Sequence, residues 1–302
     1  MIPFFYVAVI LLIAVNLLFG FSKTLNLAQT KIFKEKEAVV QKIDIPKVTP
    51  LPRNLGLAPP QVSAVAVFVE DLNTNTTLFT KDAQKRVPIA STTKIMTALV
   101  AVNSFPEDAV LTVPAVSLVE GSNMGLKLGE KLSLRSLLYG MLLNSGNDAA
   151  YTIAANYPGG VGAFVREMNR RVSELGLSNT HFDNPAGFDS PNHYSSASDL
   201  ARIASLVSQN HQLSWVVGTK EATVASADKS ISHPLKNLNK LLDIPGVLGM
   251  KTGTTPLAKE NLVGLAERGD HKILTVVLGS EDRFRETEKL LDWTDSNFRW
   301  PE

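Results

Sequence analysis

The sequence predicts a mixed α/β fold of the α+β kind, in which strand-like segments at both ends of a domain frame a run of helices. Three observations carry this. A run at 62–71 is apolar and rich in β-branched residues. Helical periodicity dominates the middle of the chain. Strand-like runs return near the end, at 250–255, 261–266 and 273–279. Strands on both sides of the helices are expected to join in one mixed sheet.

The elements follow in order. The run at 62–71 is followed by the turn cluster Asn73-Thr-Asn-Thr76 and a second strand at 77–80, which reads as a hairpin. Helical patterns lie around 92–102, 134–143, 148–156, 162–175 and 198–209. A last helix is expected from Arg285 to about Phe298. The chain has no internal repeat.

Ahead of this domain, residues 1–22 carry no charged side chain and are mostly apolar. That length suits a membrane-spanning helix. It lacks the basic start and short apolar region of a cleaved signal peptide, so a retained anchor is the favoured reading. Residues 23–60 read as a linker with scattered charge and Pro46, Pro50, Pro52, Pro59 and Pro60. The globular part is expected at 61–302.

Composition excludes several classes. The chain has 302 residues, a formal net charge of +1 and no cysteine. Disulfide frameworks, thiolate metal sites and cysteine nucleophiles are therefore out. The near-neutral balance and the lack of a basic run interleaved with aromatics argue against nucleic acid. The five histidines are scattered, with no His-Glu-x-x-His, so no metal site is expected. No Gly-x-Ser-x-Gly elbow occurs. His193 reads as a loop support, and Trp293 as packing for the last helix.

Three short motifs carry chemistry. Ser91-Thr-Thr-Lys94 opens a helix, Ser145-Gly-Asn147 sits between two helices, and Lys251-Thr-Gly253 lies on a strand. Each alone is weak. Ser-x-x-Lys arises roughly once by chance in a chain of this length, and Ser226-Ala-Asp-Lys229 is a second copy. The ordered triple in fitting contexts is the signal. Ser91 and Lys94 are three apart on a helix and share a face. Ser91 needs a base to become a nucleophile. Lys94 serves only when neutral, which burial and a nearby cation such as Lys251 would favour.

This constellation resembles the low-molecular-mass penicillin-binding proteins, the serine D-Ala-D-Ala carboxypeptidases, and more distantly the serine β-lactamases. The resemblance covers about 61–298. It extends to the segments Ala90–Leu99, Leu143–Ala149, Phe182–Phe188, His193–Leu200 and Gly246–Thr255. It implies a five-stranded antiparallel sheet flanked by helices, with a helical subdomain that holds Ser145. It implies a carboxypeptidase that removes the terminal D-alanine from peptidoglycan stem peptides, with β-lactams as covalent inhibitors and no cofactor.

By the same resemblance, Ser91 attacks the carbonyl between the two D-alanines and Lys94 is the base. Ser145 relays a proton toward the leaving amine, and Asn147 holds the substrate backbone. Lys251 supports the proton network, and Thr252 contacts the terminal carboxylate. Ser91 and Thr254 N–H groups form the oxyanion hole beside Gly253. Arg283 faces the substrate carboxylate, with Arg285 as its rival. The substrate lies outside the cytoplasmic membrane, so the domain is expected there, on the N-terminal span or secreted if that segment is cleaved. This overrides the positive-inside rule, because Lys23, Lys31, Lys34 and Lys36 follow the span and no basic residue precedes it.

The rivals are a D,D-endopeptidase, a non-catalytic wall-binding module and a class A β-lactamase. The last needs a Glu-x-x-Leu-Asn context, and Glu174-Leu-Gly-Leu177 followed by Ser178 misses it. The segment Pro256-Leu-Ala-Lys-Glu260 departs from the family pattern at the rim of the cleft.

Overall fold

The computed structural model describes residues 50–301. The N-terminal apolar segment and the linker up to residue 49 lie outside the described residues.

The apolar run at 62–71 becomes strand β2 (Ala66–Asp71), after a first short strand β1 (Arg53–Asn54). The turn to β3 (Thr76–Lys81) uses Asn75 at φ 52°, a left-handed backbone that asparagine tolerates better than most residues. Asp71 Oδ1 accepts from Asn73 N at 3.0 Å and fixes the turn's entry. The chain then runs through α1 (Lys94–Ser104), the strand pair β4 (Val110–Thr112) and β5 (Lys131–Ser133), and the helices α2 (Leu134–Leu142), α3 (Asn147–Asn156), α4 (Gly160–Glu174), α5 (Ala197–Gln209) and α6 (His211–Gly218). A hairpin of β6 (Glu221–Ala225) and β7 (Ser232–Lys236) precedes β8 (Val247–Thr255), β9 (Lys259–Arg268) and β10 (His271–Ser280). Helix α7 (Arg283–Asn297) and β11 (Phe298–Arg299) close the described chain.

The central sheet has five strands in the order β3-β2-β10-β9-β8, every pairing antiparallel. Its strands from both ends of the domain meet where β2 pairs with β10, for example Val67 opposite Val277. Both faces are covered, so alternate side chains enter two different cores. Val67, Val69, Ile273 and Val277 join Leu290 and Leu291 of α7 on one side. Ala66, Leu274, Val276 and Leu278 join the larger helical core on the other. The buried α2–α4 residues Leu138, Met141, Ile153 and Phe164 belong to that larger core. Strand β8 is an edge, and the catalytic-type motif Lys251-Thr-Gly253 lies on it.

Side-chain caps set several helix starts. Ser133 accepts from Ser136 N at 3.1 Å, Ser196 from Asp199 N at 3.2 Å, and Asp282 from Arg285 N at 3.1 Å. The last cap starts α7 at Arg283, two residues before the expected Arg285.

One other expectation changes, and two elements were not foreseen. The sequence places the domain's start near Gln61, yet pairing begins earlier. Arg53 lies opposite Arg299, Leu55 N donates to Asn297 O at 2.8 Å, and Trp293 Nε1 donates to Leu57 O at 3.2 Å. Backbone groups of this segment find partners on α7 and β11. Helix α6 and the β6–β7 hairpin were not foreseen, because eight- and five-residue segments are too short for a clear period. Ser226 of the second Ser-x-x-Lys copy sits at the turn of that hairpin, with its hydroxyl on Asp228 Oδ1 at 2.7 Å.

Candidate active site

The first motif does not open directly as an α-helix. Ala90–Thr93 form a 3-10 turn, and α1 starts at Lys94. The turn is preceded by Ile89 and not by a side-chain cap. Ala90 has φ 48°, an uncommon backbone for alanine. The spacing argument still holds, since the tight turn keeps Ser91 and Lys94 on one face. Lys94 Nζ lies 2.8 Å from Ser91 Oγ.

Lys94 is wholly buried. Its nitrogen also meets Asn147 Oδ1 at 2.8 Å and Ala186 O at 2.7 Å. Both of those are pure acceptors. A neutral amine has two N–H bonds for them and one lone pair left for the Ser91 hydroxyl. The environment favours that neutral form. Burial lowers the Lys94 pKa well below its usual value, and the Lys251 charge lowers it further against a smaller opposing pull from Asp148.

Asn147 is oriented by a loop that the sequence reading did not single out. Its backbone N donates to Ser122 O at 2.7 Å and its Nδ2 to Glu120 O at 2.8 Å. That assignment turns Oδ1 toward Lys94. The next residue, buried Asp148, binds the same loop. Its carboxylate accepts from Met124 N, Gly125 N and Leu126 N at 3.0–3.1 Å. With most of its amide engaged, Asn147 keeps only one Nδ2 hydrogen for any other partner.

Ser145 lies in the break between α2 and α3, as expected, with φ 58°. Its hydroxyl accepts from Lys251 Nζ at 3.1 Å. Lys251 is buried too, and its nitrogen also donates to Thr252 O at 2.9 Å. Burial, and then the charge of Arg283, lower its pKa to about 7. The edge strand comes very close to the 3-10 turn at Gly253. A Cβ there would lie 2.9 Å from Ser91 N and 3.0 Å from Ile89 O and Thr92 N. Only glycine lets β8 approach this near.

Arg283, and not Arg285, reaches the cleft. Its guanidinium donates to Gly253 O at 2.9 Å and to the Thr254 hydroxyl. Arg283 stacks over the Phe284 ring at 4.8 Å. Among the described residues, its buried Nε has no hydrogen-bond partner. Arg285 is exposed on the first turn of α7. Thr252 is buried and Thr254 is exposed beside it.

The structure therefore brings Ser91, Lys94 and Asn147 into one set of contacts, Ser145 and Lys251 into a second, and Gly253, Thr254 and Arg283 into a third. The reading of the residues missed the Ala186 carbonyl, Asp148 and the loop at 119–126. Backbone oxygens leave no mark in residue type, though Ala186 falls within the Phe182–Phe188 segment.

Residues 54–282 match the model of the D-alanyl-D-alanine carboxypeptidase family. This chain belongs to that family. The D-alanyl-D-alanine carboxypeptidase of Streptomyces sp. strain K15 is 38% identical over 239 residues, which cover 73% of this chain and 82% of that protein. The carboxypeptidase DacF of Bacillus subtilis is 34% identical, over 77% of this chain and 62% of its own length. The D-alanyl-D-alanine endopeptidase of Pseudomonas aeruginosa is 33% identical over 78% of each. The crystal structure of the Streptomyces K15 DD-transpeptidase superposes with a TM-score of 0.75 at 35% identity, over 80% of this chain and all of that one. The carboxypeptidase thus has the penicillin-binding, transpeptidase-like fold expected from its motifs, and it is a serine D-Ala-D-Ala carboxypeptidase by family.

Proposed function

We propose that this carboxypeptidase removes the terminal D-alanine of peptidoglycan stem peptides through an acyl-enzyme on Ser91. The observation that carries it is the 2.8 Å contact between Ser91 Oγ and a buried Lys94 whose two other neighbours accept hydrogen bonds only.

Lys94 takes the hydroxyl proton as Ser91 attacks the carbonyl between the two D-alanines. The N–H groups of Ser91 and Thr254 stabilise the resulting oxyanion, a contribution of about 3 kcal/mol in such sites. Ser145, in contact with Lys251, relays to the leaving nitrogen the equivalent of the proton that Lys94 took, so that both are restored, the C–N bond breaks, and free D-alanine departs. Water then opens the Ser91 ester and the proton returns to the serine. Arg283, with Thr252 and Thr254, takes the terminal carboxylate, and Asn147 offers its remaining N–H to the peptide. A β-lactam presents a strained cyclic amide in place of the scissile peptide bond and acylates the same oxygen.

The apolar segment 1–22 fits a membrane anchor that holds the domain outside the cytoplasm, where such substrates lie. Among the described residues, no helix is long and apolar enough to cross a membrane.

Intact mass after incubation of the chain with penicillin tests the nucleophile. A long-lived adduct of one penicillin is expected, and Ser91→Ala abolishes it. An adduct that persists in Ser91→Ala overturns the assignment. Relatives named as endopeptidases keep a second activity in view. Loss of D-alanine from pentapeptides, with cross-linked dimers left intact, distinguishes the carboxypeptidase.

A further inference from the structure

His193 is buried, 3% exposed, and its hydrogen bonds go to Thr93, Asp183 and Asn184, outside the three contact sets above. Its ring has three hydrogen-bond neighbours. Nδ1 accepts from Asp183 N at 3.1 Å and, at a longer 3.4 Å, from Asn184 Nδ2, and Nε2 lies 2.7 Å from Thr93 Oγ1. A backbone N–H can only donate, so Nδ1 must be the bare nitrogen and Nε2 carries the hydrogen. Burial, the largest influence on this ring, lowers its pKa to about 4, so the neutral ring is the form present near neutral pH. Nε2–H therefore donates to Thr93 Oγ1. The Thr93 hydroxyl is thereby directed onward, and it donates to Ala90 O at 2.8 Å.

Ala90 is the residue before Ser91, and its φ of 48° is one that alanine adopts only under constraint. Two constraints meet on its carbonyl. The Thr93 hydroxyl holds the oxygen from one side. Gly187 abuts it from the other, so closely that a Cβ at 187 would lie 2.0 Å from Ala90 O. The direction of that peptide sets where the Ser91 N–H and Oγ point.

We propose that His193 is a positioning residue, which acts through Thr93 on the Ala90 carbonyl to keep Ser91 aligned with Lys94. This rests on Ser91 as the nucleophile. Its role is separate from the loop support that a buried histidine also gives.

The two ring nitrogens can be imitated one at a time. Asparagine places its amide oxygen near Nδ1 and keeps the Asp183 contact. Glutamine reaches the Nε2 position and keeps the donor to Thr93. The measurement is penicillin acylation, with the pre-covalent affinity and the covalent rate separated, and the melting temperature recorded for each variant.

His193→Asn is expected to slow the covalent step by roughly 10- to 100-fold, as small misplacements of a nucleophile do, at unchanged pre-covalent affinity. His193→Gln retains most of the rate. Thr93→Val, equal in shape, shows the His193→Asn defect, and Thr93→Ser does not. The His193→Asn/Thr93→Val double variant is no slower than either alone, because both break one chain. Equal slowing in His193→Asn and His193→Gln, a wild-type rate in Thr93→Val, or a multiplied defect in the double variant overturns the proposal. No acylation in the parent protein would instead sink the nucleophile assignment itself.

Discussion

The side-chain oxygen of Asn147 accepts from Lys94 Nζ at 2.8 Å, so the residue expected to hold substrate also holds the proposed base. Its amide is neutral, and that neutrality matters. A carboxylate at this place would stabilise the lysine cation and take away the lone pair that faces Ser91.

Asn147→Asp is therefore expected to raise the Lys94 pKa, because an opposite charge this close favours the cation. The acid limb of the acylation profile moves to higher pH by the same amount. The rate at pH 7 falls while the alkaline plateau recovers. A pH–rate profile of penicillin acylation, run beside the parent, checks it. An acid limb that stays in place shows that Lys94 is not the titrating base.

Lys251 links the site to stability. Its folded pKa is lowered to about 7 from 10.5. Between those values the unfolded chain holds a proton that the folded chain has released, so stability rises with pH across the window. Below about 7 the penalty for a buried cation is felt in full. Lys251→Met removes that dependence and is expected to flatten the gain in urea midpoint between about pH 6.5 and 9.5. The contribution is on the order of a few kcal/mol. The same variant loses acylation, since Ser145 has lost its donor. An unchanged slope of midpoint against pH counts against a lowered lysine.

Gly253→Ala tests the close approach of β8 to the turn that carries Ser91. The new methyl meets three backbone atoms, none of which can rotate away. Strand and turn must separate, at about 1–3 kcal/mol of stability. Acylation is expected to fall by roughly 100-fold. Thermal melts together with acylation rates check this, and a wild-type rate would show that the spacing is not critical.

Arg283 and Arg285 separate cleanly. Arg283→Gln is expected to raise KM for D-Ala-D-Ala peptides by roughly 10- to 100-fold, the worth of a hydrogen bond to a charged group. Arg285→Gln leaves it near wild type, because that side chain points to solvent. Steady-state kinetics on a carboxylate-ended peptide and its amide tell the effects apart. The amide should be indifferent to the loss of Arg283.

Much of this was legible in the residues. Apolar runs marked the strands, since β2 and β10 are covered on both faces and read as continuous hydrophobic segments. Helix periodicity placed α2, α3, α4 and α5 to within about two residues. The Ser91–Lys94 pair could be picked out because its spacing comes together with the two later motifs, which the second copy at Ser226–Lys229 lacks. The resemblance favoured Arg283 over its rival Arg285, but nothing in the residue pattern shows the Asp282 cap that makes Arg283 the first residue of α7. The short helix α6 and the β6–β7 hairpin left no period to read.

The sequence by itself determined which residue types are available, a serine and a lysine one turn apart, a second serine in a helix break and a second lysine on a strand. Those are local facts, and local geometry suffices for them. Only the tertiary structure decided that Lys94 has no solvent, that Ala186 O and Asn147 Oδ1 occupy its two N–H bonds, and that Gly253 touches the turn of Ser91. Each joins segments 50 or more positions apart. Burial and backbone oxygens arise from packing, which residue identity does not encode one position at a time.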